Sequence, residues 1–308
     1  MQQGWSVEKM PDLTGRIVIV TGANSGIGYE AAKAFASRGA QTILACRNLD
    51  SAHAAAVKIR SDIQRAEVEV MQLDLARQAS VRSFADEFKT KHGHLDVLVN
   101  NAGIMWTEYG KTEDGFESQF GTNHLGHFAL TGLLVDSLSN VSGSRVVNVS
   151  SIGHRSGTMD FANLMYEDGQ GYTGLAAYGR SKLANLLFTY ELQRRFDAAN
   201  QASLAVAAHP GATSTNLGRH LEERWYFRLL LPFMNALGQD AAMGALPTIR
   251  AAVDRDVAGG DYFGPARFME ARGFPIKVES SALSHDTDSA RRLWEVSERL
   301  TGVRFFSM

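Results

Sequence analysis

Arg16-Ile17-Val18-Ile19-Val20-Thr21-Gly22-Ala23-Asn24-Ser25-Gly26-Ile27-Gly28 is the stretch that decides the fold. Ile17 to Val20 are β-branched without a polar break, the pattern of a strand buried on both faces. Gly22, Gly26 and Gly28 let the next turn be tight and let its backbone approach a ligand closely. A helical pattern around Tyr29 to Arg38 follows and stops at Gly39. The start of such a helix offers free N–H groups and a positive end to phosphate. Strand, glycine turn and helix together favour a nucleotide over a merely structural turn. The spacing is G-x-x-x-G-x-G rather than the commoner G-x-G-x-x-G. Gly22, Asn24, Ser25, Gly26, Ile27 and Gly28 are its candidate contacts.

Outward from this unit, short apolar runs alternate with longer helical patterns. Strands are expected at Thr42–Cys46, Val68–Leu73, Leu95–Val99, Arg145–Val149 and Leu204–Ala208, and a seventh near Asp261–Pro265. Helices are expected at Ser51–Gln64, Val81–Lys91, Phe116–Leu138, from Tyr178 onward, at Ala241–Ala252 behind an Asp240 cap, and at Ser289–Leu300. This order implies an α/β fold: a doubly wound, Rossmann-type parallel sheet of about seven strands with helices on both faces. The chain reads as one domain over 1–308, with 1–12 as an N-terminal tail. In such sheets ligands bind beyond the carboxyl ends of the strands.

The 308 residues carry a formal charge of −2, which gives no basic field for nucleic acid or an anionic membrane. Hydrophobic residues make up 44%, yet no run is long enough for a spanning helix. The single cysteine, Cys46, excludes an internal disulfide and a cysteine zinc cage. The N-terminus lacks the apolar core of a signal peptide. A cytoplasmic protein is expected.

Further motifs fall at strand ends. Cys46-Arg47-Asn48 has no carboxylate to hold a ribose 2′-OH, while Arg47 suits a 2′-phosphate, so NADP is expected over NAD. Asp74, followed by Leu75, can meet an adenine amino group or cap a helix. In Asn100-Asn101-Ala102-Gly103 the small residues leave room for a ribose and the Asn pair can tie strands. Asn123, flanked by Gly121 and Gly126, marks a helix defect that exposes a carbonyl to a bound water. His124 and His127 lack a third ligand at metal spacing and read as packing or surface residues. Ser150-Ser151 offers a hydroxyl to a substrate oxygen, outside any Gly-x-Ser-x-Gly elbow. Tyr178 and Lys182 lie one helical turn apart, so the ammonium is expected to lower the phenol's pKa and make it a proton carrier. Pro210-Gly211, Thr213 and Thr215 can reach a nicotinamide amide or a phosphate.

Taken in order, the glycine turn, Asn100-Asn101-Ala102-Gly103, Asn123, Ser151, Tyr178-Gly179-Arg180-Ser181-Lys182 and Pro210-Gly211 resemble the short-chain dehydrogenase/reductases over about Leu13 to Thr215. Ala45-Cys46-Arg47-Asn48, Ser150-Ser151-Ile152-Gly153-His154 and Ser181-Lys182-Leu183-Ala184-Asn185 are similar to the retinol dehydrogenase and protochlorophyllide reductase branch. The resemblance implies Tyr178 as proton carrier, Lys182 holding the nicotinamide ribose, Ser151 orienting the carbonyl and Asn123 anchoring a water. It also implies a possible homodimer through the helix before strand five and the Tyr178 helix, although the branch has monomers. The gap from Ser151 to Tyr178 is longer than usual. Gly179 stands where a pigment reductase would have cysteine, and a membrane anchor of the kind common in retinol dehydrogenases is not expected.

Residues 212–240 are expected to form a substrate lid. Trp225 to Met234 is dense in aromatic and aliphatic residues and fits a lid over a lipophilic pocket, a membrane or partner contact, or core. The sequence therefore points to a carbonyl/alcohol oxidoreductase acting on a lipophilic small molecule. A silent nucleotide-sensing or scaffold protein on the same fold is the alternative.

Overall fold

The computed structural model describes residues 4–139, 141–213 and 238–306. Thr215 and 214–237 of the expected lid lie outside the described residues.

The strands are β1 (Ile17–Thr21), β2 (Gln41–Cys46), β3 (Val68–Gln72), β4 (Val97–Asn100), β5 (Arg145–Val149), β6 (Leu204–Ala208), β7 (Tyr262–Arg267) and β8 (Arg272–Lys277). They form one sheet in the order β3-β2-β1-β4-β5-β6-β7-β8. Every pair is parallel except β7 with β8. The order reverses between β1 and β4, which opens a crevice above their carboxyl ends. β1 is buried along its whole length, as its unbroken apolar run requires.

β8 adds an eighth, antiparallel strand to the expected parallel sheet of about seven. Its sequence, Arg272-Gly273-Phe274-Pro275-Ile276-Lys277, lacks a clean alternation and contains proline. Proline is tolerated there because the strand lies at the sheet edge.

One face is covered by α1 (Gly26–Ser37), α2 (Leu49–Asp62) and α6 (Ala241–Val253), the other by α3 (Gln78–Lys91), α4 (Gly126–Ser139) and α5 (Gly174–Ala198). Side chains cap α2, α5 and α6: Asn48 accepts from Ser51 N–H, Thr173 from Ala176 N–H and Asp240 from Met243 N–H. The helix expected over Phe116–Leu138 is interrupted. Ser118–Phe120 passes into a π-helical turn, Gly121–Leu125, before α4 begins. Such turns are rare and gather at functional sites.

The last helix, α7 (Thr287–Thr301), lies against α4 and α5. Leu293 packs with Leu183 and Leu187, and Trp294 meets Phe128 and Phe188 at ring-centre distances of 5.2 and 5.7 Å. These are the two helices through which the resemblance implies pairing. Their outer apolar seam is filled from within the same chain. The expected N-terminal tail is likewise packed down, with Trp5 and Met10 buried in the core. No helix among the described residues is long and apolar enough to cross a membrane.

Candidate active site

The crevice at the β1/β4 reversal is a cleft of about 480 Å3. Gly22, Asn24, Ser25, Gly26, Ile27 and Gly28 line one part of it, with Arg47, Asn48, Asp74 and Leu75 beside them. Asn101, Ala102 and Gly103 form its floor, and Ser151, Tyr178, Lys182, Pro210, Gly211 and Thr213 complete it. Of the expected site residues only Asn123 stands behind the wall, while Thr215 lies outside the described residues.

The glycine turn is built for close approach. A Cβ on Gly28 would sit 2.5 Å from the Gly22 carbonyl oxygen and 2.6 Å from Asn101 Nδ2. Asn101 Nδ2 in turn donates to Thr21 O at 2.8 Å, fastening the ends of β1 and β4 together. Asn100 Nδ2 ties β4 to Asn148 of β5 at 2.8 Å. Arg47 is exposed at the cleft and has no ion-pair partner among the described residues. Asn48 doubles as the α2 cap. Asp74 accepts from Ala76 N–H at 3.0 Å, while α3 starts behind Arg77 without a side-chain cap. The capping role expected as one alternative for Asp74 is therefore not the one it plays.

At the other side, α5 presents Tyr178 and Lys182 on one face, both buried, with Lys182 Nζ 5.6 Å from the Tyr178 ring centre. Lys182 Nζ donates to Val149 O at 3.0 Å. Burial lowers the ammonium pKa to about 8. The Tyr178 phenol moves the opposite way from expectation. Burial raises it, and the opposing influence is a hydrogen bond with Ser151 rather than the Lys182 charge. Sequence spacing shows a neighbouring cation but not how dry the site is, and here desolvation wins.

The two serines separate cleanly. Ser150 Oγ is committed to Lys182 O at 2.9 Å. Ser151 Oγ accepts from Gly153 N–H at 3.1 Å and faces the phenol.

Asn123 is closed in rather than open to water through its side chain. Its Oδ1 accepts from Ile104 N–H at 2.8 Å; its Nδ2 donates to Ile104 O at 2.9 Å and to Ser181 Oγ at 3.0 Å. The π turn does redirect its carbonyl, but His127 Nδ1 takes it at 3.0 Å. The tautomer follows from the neighbours. Thr21 Oγ1 already accepts the N–H groups of Asn101 and Ala102, both at 2.9 Å. Its proton goes to His127 Nε2 at 2.9 Å, closer than Val99 O at 3.3 Å. His127 Nδ1 therefore carries the imidazole proton. His124 is also buried, against Phe120, Phe128 and Phe188.

Sequence reasoning missed several contributors. Ile104, Met105, Trp106 and Thr122 line the cleft. Arg180, inside the Tyr178–Lys182 motif, anchors the long gap segment by donating to Asn163 O and Leu164 O at 2.7 and 2.8 Å. Its place on the helix could have raised it as an anchor; nothing local marks the cleft-lining four.

The sequence model of the short chain dehydrogenases matches residues 16–225. The chain belongs to this family. Short-chain dehydrogenases use nicotinamide dinucleotides, and this member is an oxidoreductase. It is 39% identical to retinol dehydrogenase 12 of Mus musculus over 298 residues, covering 95% of this chain and 88% of the mouse protein. It is 40% identical to retinol dehydrogenase 11 of Homo sapiens over 294 residues, covering 94% and 87%. A crystal structure of a protein from Mycobacterium paratuberculosis superposes with a TM-score of 0.82 at 41% identity, covering 98% of this chain and 99% of that one. The dehydrogenase's cleft suits the family's cofactor on physical grounds: a tight glycine turn in its lining, the start of α1 behind it, and the exposed Arg47 beside it, which has no ion-pair partner among the described residues.

Proposed function

We propose that this short-chain dehydrogenase uses NADP to interconvert a carbonyl and an alcohol on a lipophilic small molecule. The observation that carries the reading is one cleft shared by the glycine turn, Arg47, Ser151, Tyr178 and Lys182. Arg47 follows β2 and Ser151 follows β5, with β1 and β4 between them. Three strand spacings make about 14 Å, enough for an extended dinucleotide.

The cofactor supplies or accepts the hydride. Gly22 to Gly28 and the start of α1 would hold its pyrophosphate, and Arg47 its 2′-phosphate. Lys182 would hold the nicotinamide ribose. Ser151 orients the substrate oxygen, and Tyr178 gives that oxygen a proton in reduction or removes one in oxidation. Burial keeps the phenol neutral, the form that donates, and the Ser151 hydrogen bond limits the rise. Asn123 acts by fixing the Ile104 turn that borders the substrate end. Ile104 and Met105 in the wall, and the similarity to the retinol dehydrogenases, support an apolar substrate.

The test is oxidation of NADPH and NADH with a panel running from short hydrophilic aldehydes to long apolar ones, retinal included. NADPH with an apolar carbonyl should give the highest kcat/KM. Tight NADPH binding without turnover on any member would favour a nucleotide sensor instead. The lone buried Cys46 supports a reducing, cytoplasmic location, which cell fractionation checks.

A further inference from the structure

The turn between β7 and β8 holds three successive left-handed residues, none of them glycine: Phe268, Met269 and Glu270 have φ of +53°, +53° and +64°. Such backbone persists only where surroundings over-determine it. The surroundings here are the Pro210–Thr213 loop. Ala212 N–H donates to Ala271 O at 2.9 Å. A Cβ on Gly211 would lie 2.4 Å from that same oxygen, so the loop sits flush against the turn. Gln239 bridges the two from the side: its Nε2 donates to Pro210 O and its Oε1 accepts from Gly273 N–H, both at 2.9 Å. A second tie runs through His209, which is fully buried. Its Nδ1 accepts from Gly211 N–H at 3.2 Å, which leaves the proton on Nε2. Glu270 Oε2 lies 3.1 Å from that Nε2, a close contact whose angle falls short of a hydrogen bond, and Arg155 holds Oε1 of the same carboxylate at 3.2 Å.

We propose that Gln239 and Glu270 are positioning residues of the cofactor site. They fasten the β7–β8 hairpin to the Pro210–Thr213 loop, so that the loop meets the nicotinamide end of the cofactor already shaped. Neither residue lines the cleft. Gln239 acts through the Pro210 carbonyl and Glu270 through His209. The inference rests on the NADP reading of the cleft. It adds that the antiparallel edge hairpin, which lines no part of the cleft, sets cofactor affinity.

The experiment compares wild type, Gln239→Leu, Glu270→Ala and Glu270→Gln. NADPH dissociation constants come from fluorescence titration of the protein without substrate, and melting temperatures are recorded alongside. Gln239→Leu and Glu270→Ala should each weaken NADPH binding about tenfold, the scale of one lost buried polar tie. The loss should appear in KM for NADPH rather than in kcat. Glu270→Gln keeps an acceptor beside His209 and should recover most of the affinity; Gln239→Leu carries the test if the alanine variant does not fold. Folded Gln239→Leu and Glu270→Ala with wild-type dissociation constants, or with lowered melting temperature and unchanged affinity, overturn the proposal. Wild-type protein that binds neither NADPH nor NADH overturns the functional reading itself, whereas wild-type binding with unaffected variants removes only this inference.

Discussion

Replacing His127 with glutamine removes a proton site that the native dehydrogenase holds empty. Burial, opposed by the hydrogen bond to Asn123 O, lowers this imidazole from the ordinary 6.5 to about 4. Above pH 6.5 native and unfolded chains are both neutral at this site, and the stability is fully present. As pH falls from 6.5 towards 4, the unfolded chain takes up a proton that the native chain refuses, and stability is lost. Below that value the native state protonates too and the loss stops growing. At pH 5 the deficit is about 2 kcal/mol, from roughly 1.4 kcal/mol per unit of pKa difference over the window crossed. Glutamine offers an amide NH2 to donate and a carbonyl oxygen to accept, so it can still span Asn123 O and Thr21 Oγ1. It costs about 1–3 kcal/mol wherever those bonds are imperfect, but that cost does not depend on pH. The assay is urea denaturation of both proteins at pH 7.5 and 5.0. The wild type should lose about 2 kcal/mol more between the two pH values than His127→Gln does. Equal losses would show that His127 is not held neutral at pH 5 and would refute a depressed proton affinity at Nε2.

Tyr178→Phe should lower kcat by about 10²–10⁴-fold, the range of a lost general acid, while the NADPH dissociation constant stays near wild type; steady-state kinetics and a binding titration check both. Arg47→Asp should raise KM for NADPH by about tenfold or more and leave KM for NADH nearly unchanged, since a carboxylate repels only the 2′-phosphate; equal effects on the two would remove the basis for NADP. Ser151→Ala should reduce kcat, whereas Ser150→Ala should chiefly lower the melting temperature, because Ser150 Oγ serves the α5 backbone; the reverse pattern would exchange their roles.

The parts that were legible in the sequence are those whose local chemistry has one solution. Ile17 to Val20 have no polar residue to turn outward, so a central parallel strand follows. The glycines after them, the small residues at 102 and 103, and the Tyr178–Lys182 spacing all report backbone or side-chain geometry within one element. What escaped depends on partners distant in sequence. β8 is an edge strand carrying Pro275, and only its pairing with β7 makes it a strand. The break around Asn123 was legible from its glycines, but not the imidazole that fills it. The direction of the Tyr178 shift needed the depth of the site, which α5 acquires only when other elements close over it. Gln239 and Glu270 are ordinary polar residues in sequence; their bearing on residues 210–213 exists only through the sheet edge.

α7 contributes no atom to the cleft, yet the helix that carries the phenol and the ammonium leans on it. Proteolysis in the short connection at Ala282–His285 would release a segment whose departure bares Phe128, Phe188 and Leu187. Uncovered aromatic area of that kind seeks other chains. Loss of α7 is thus expected to inactivate this oxidoreductase by aggregation, with every reacting group still in its sequence.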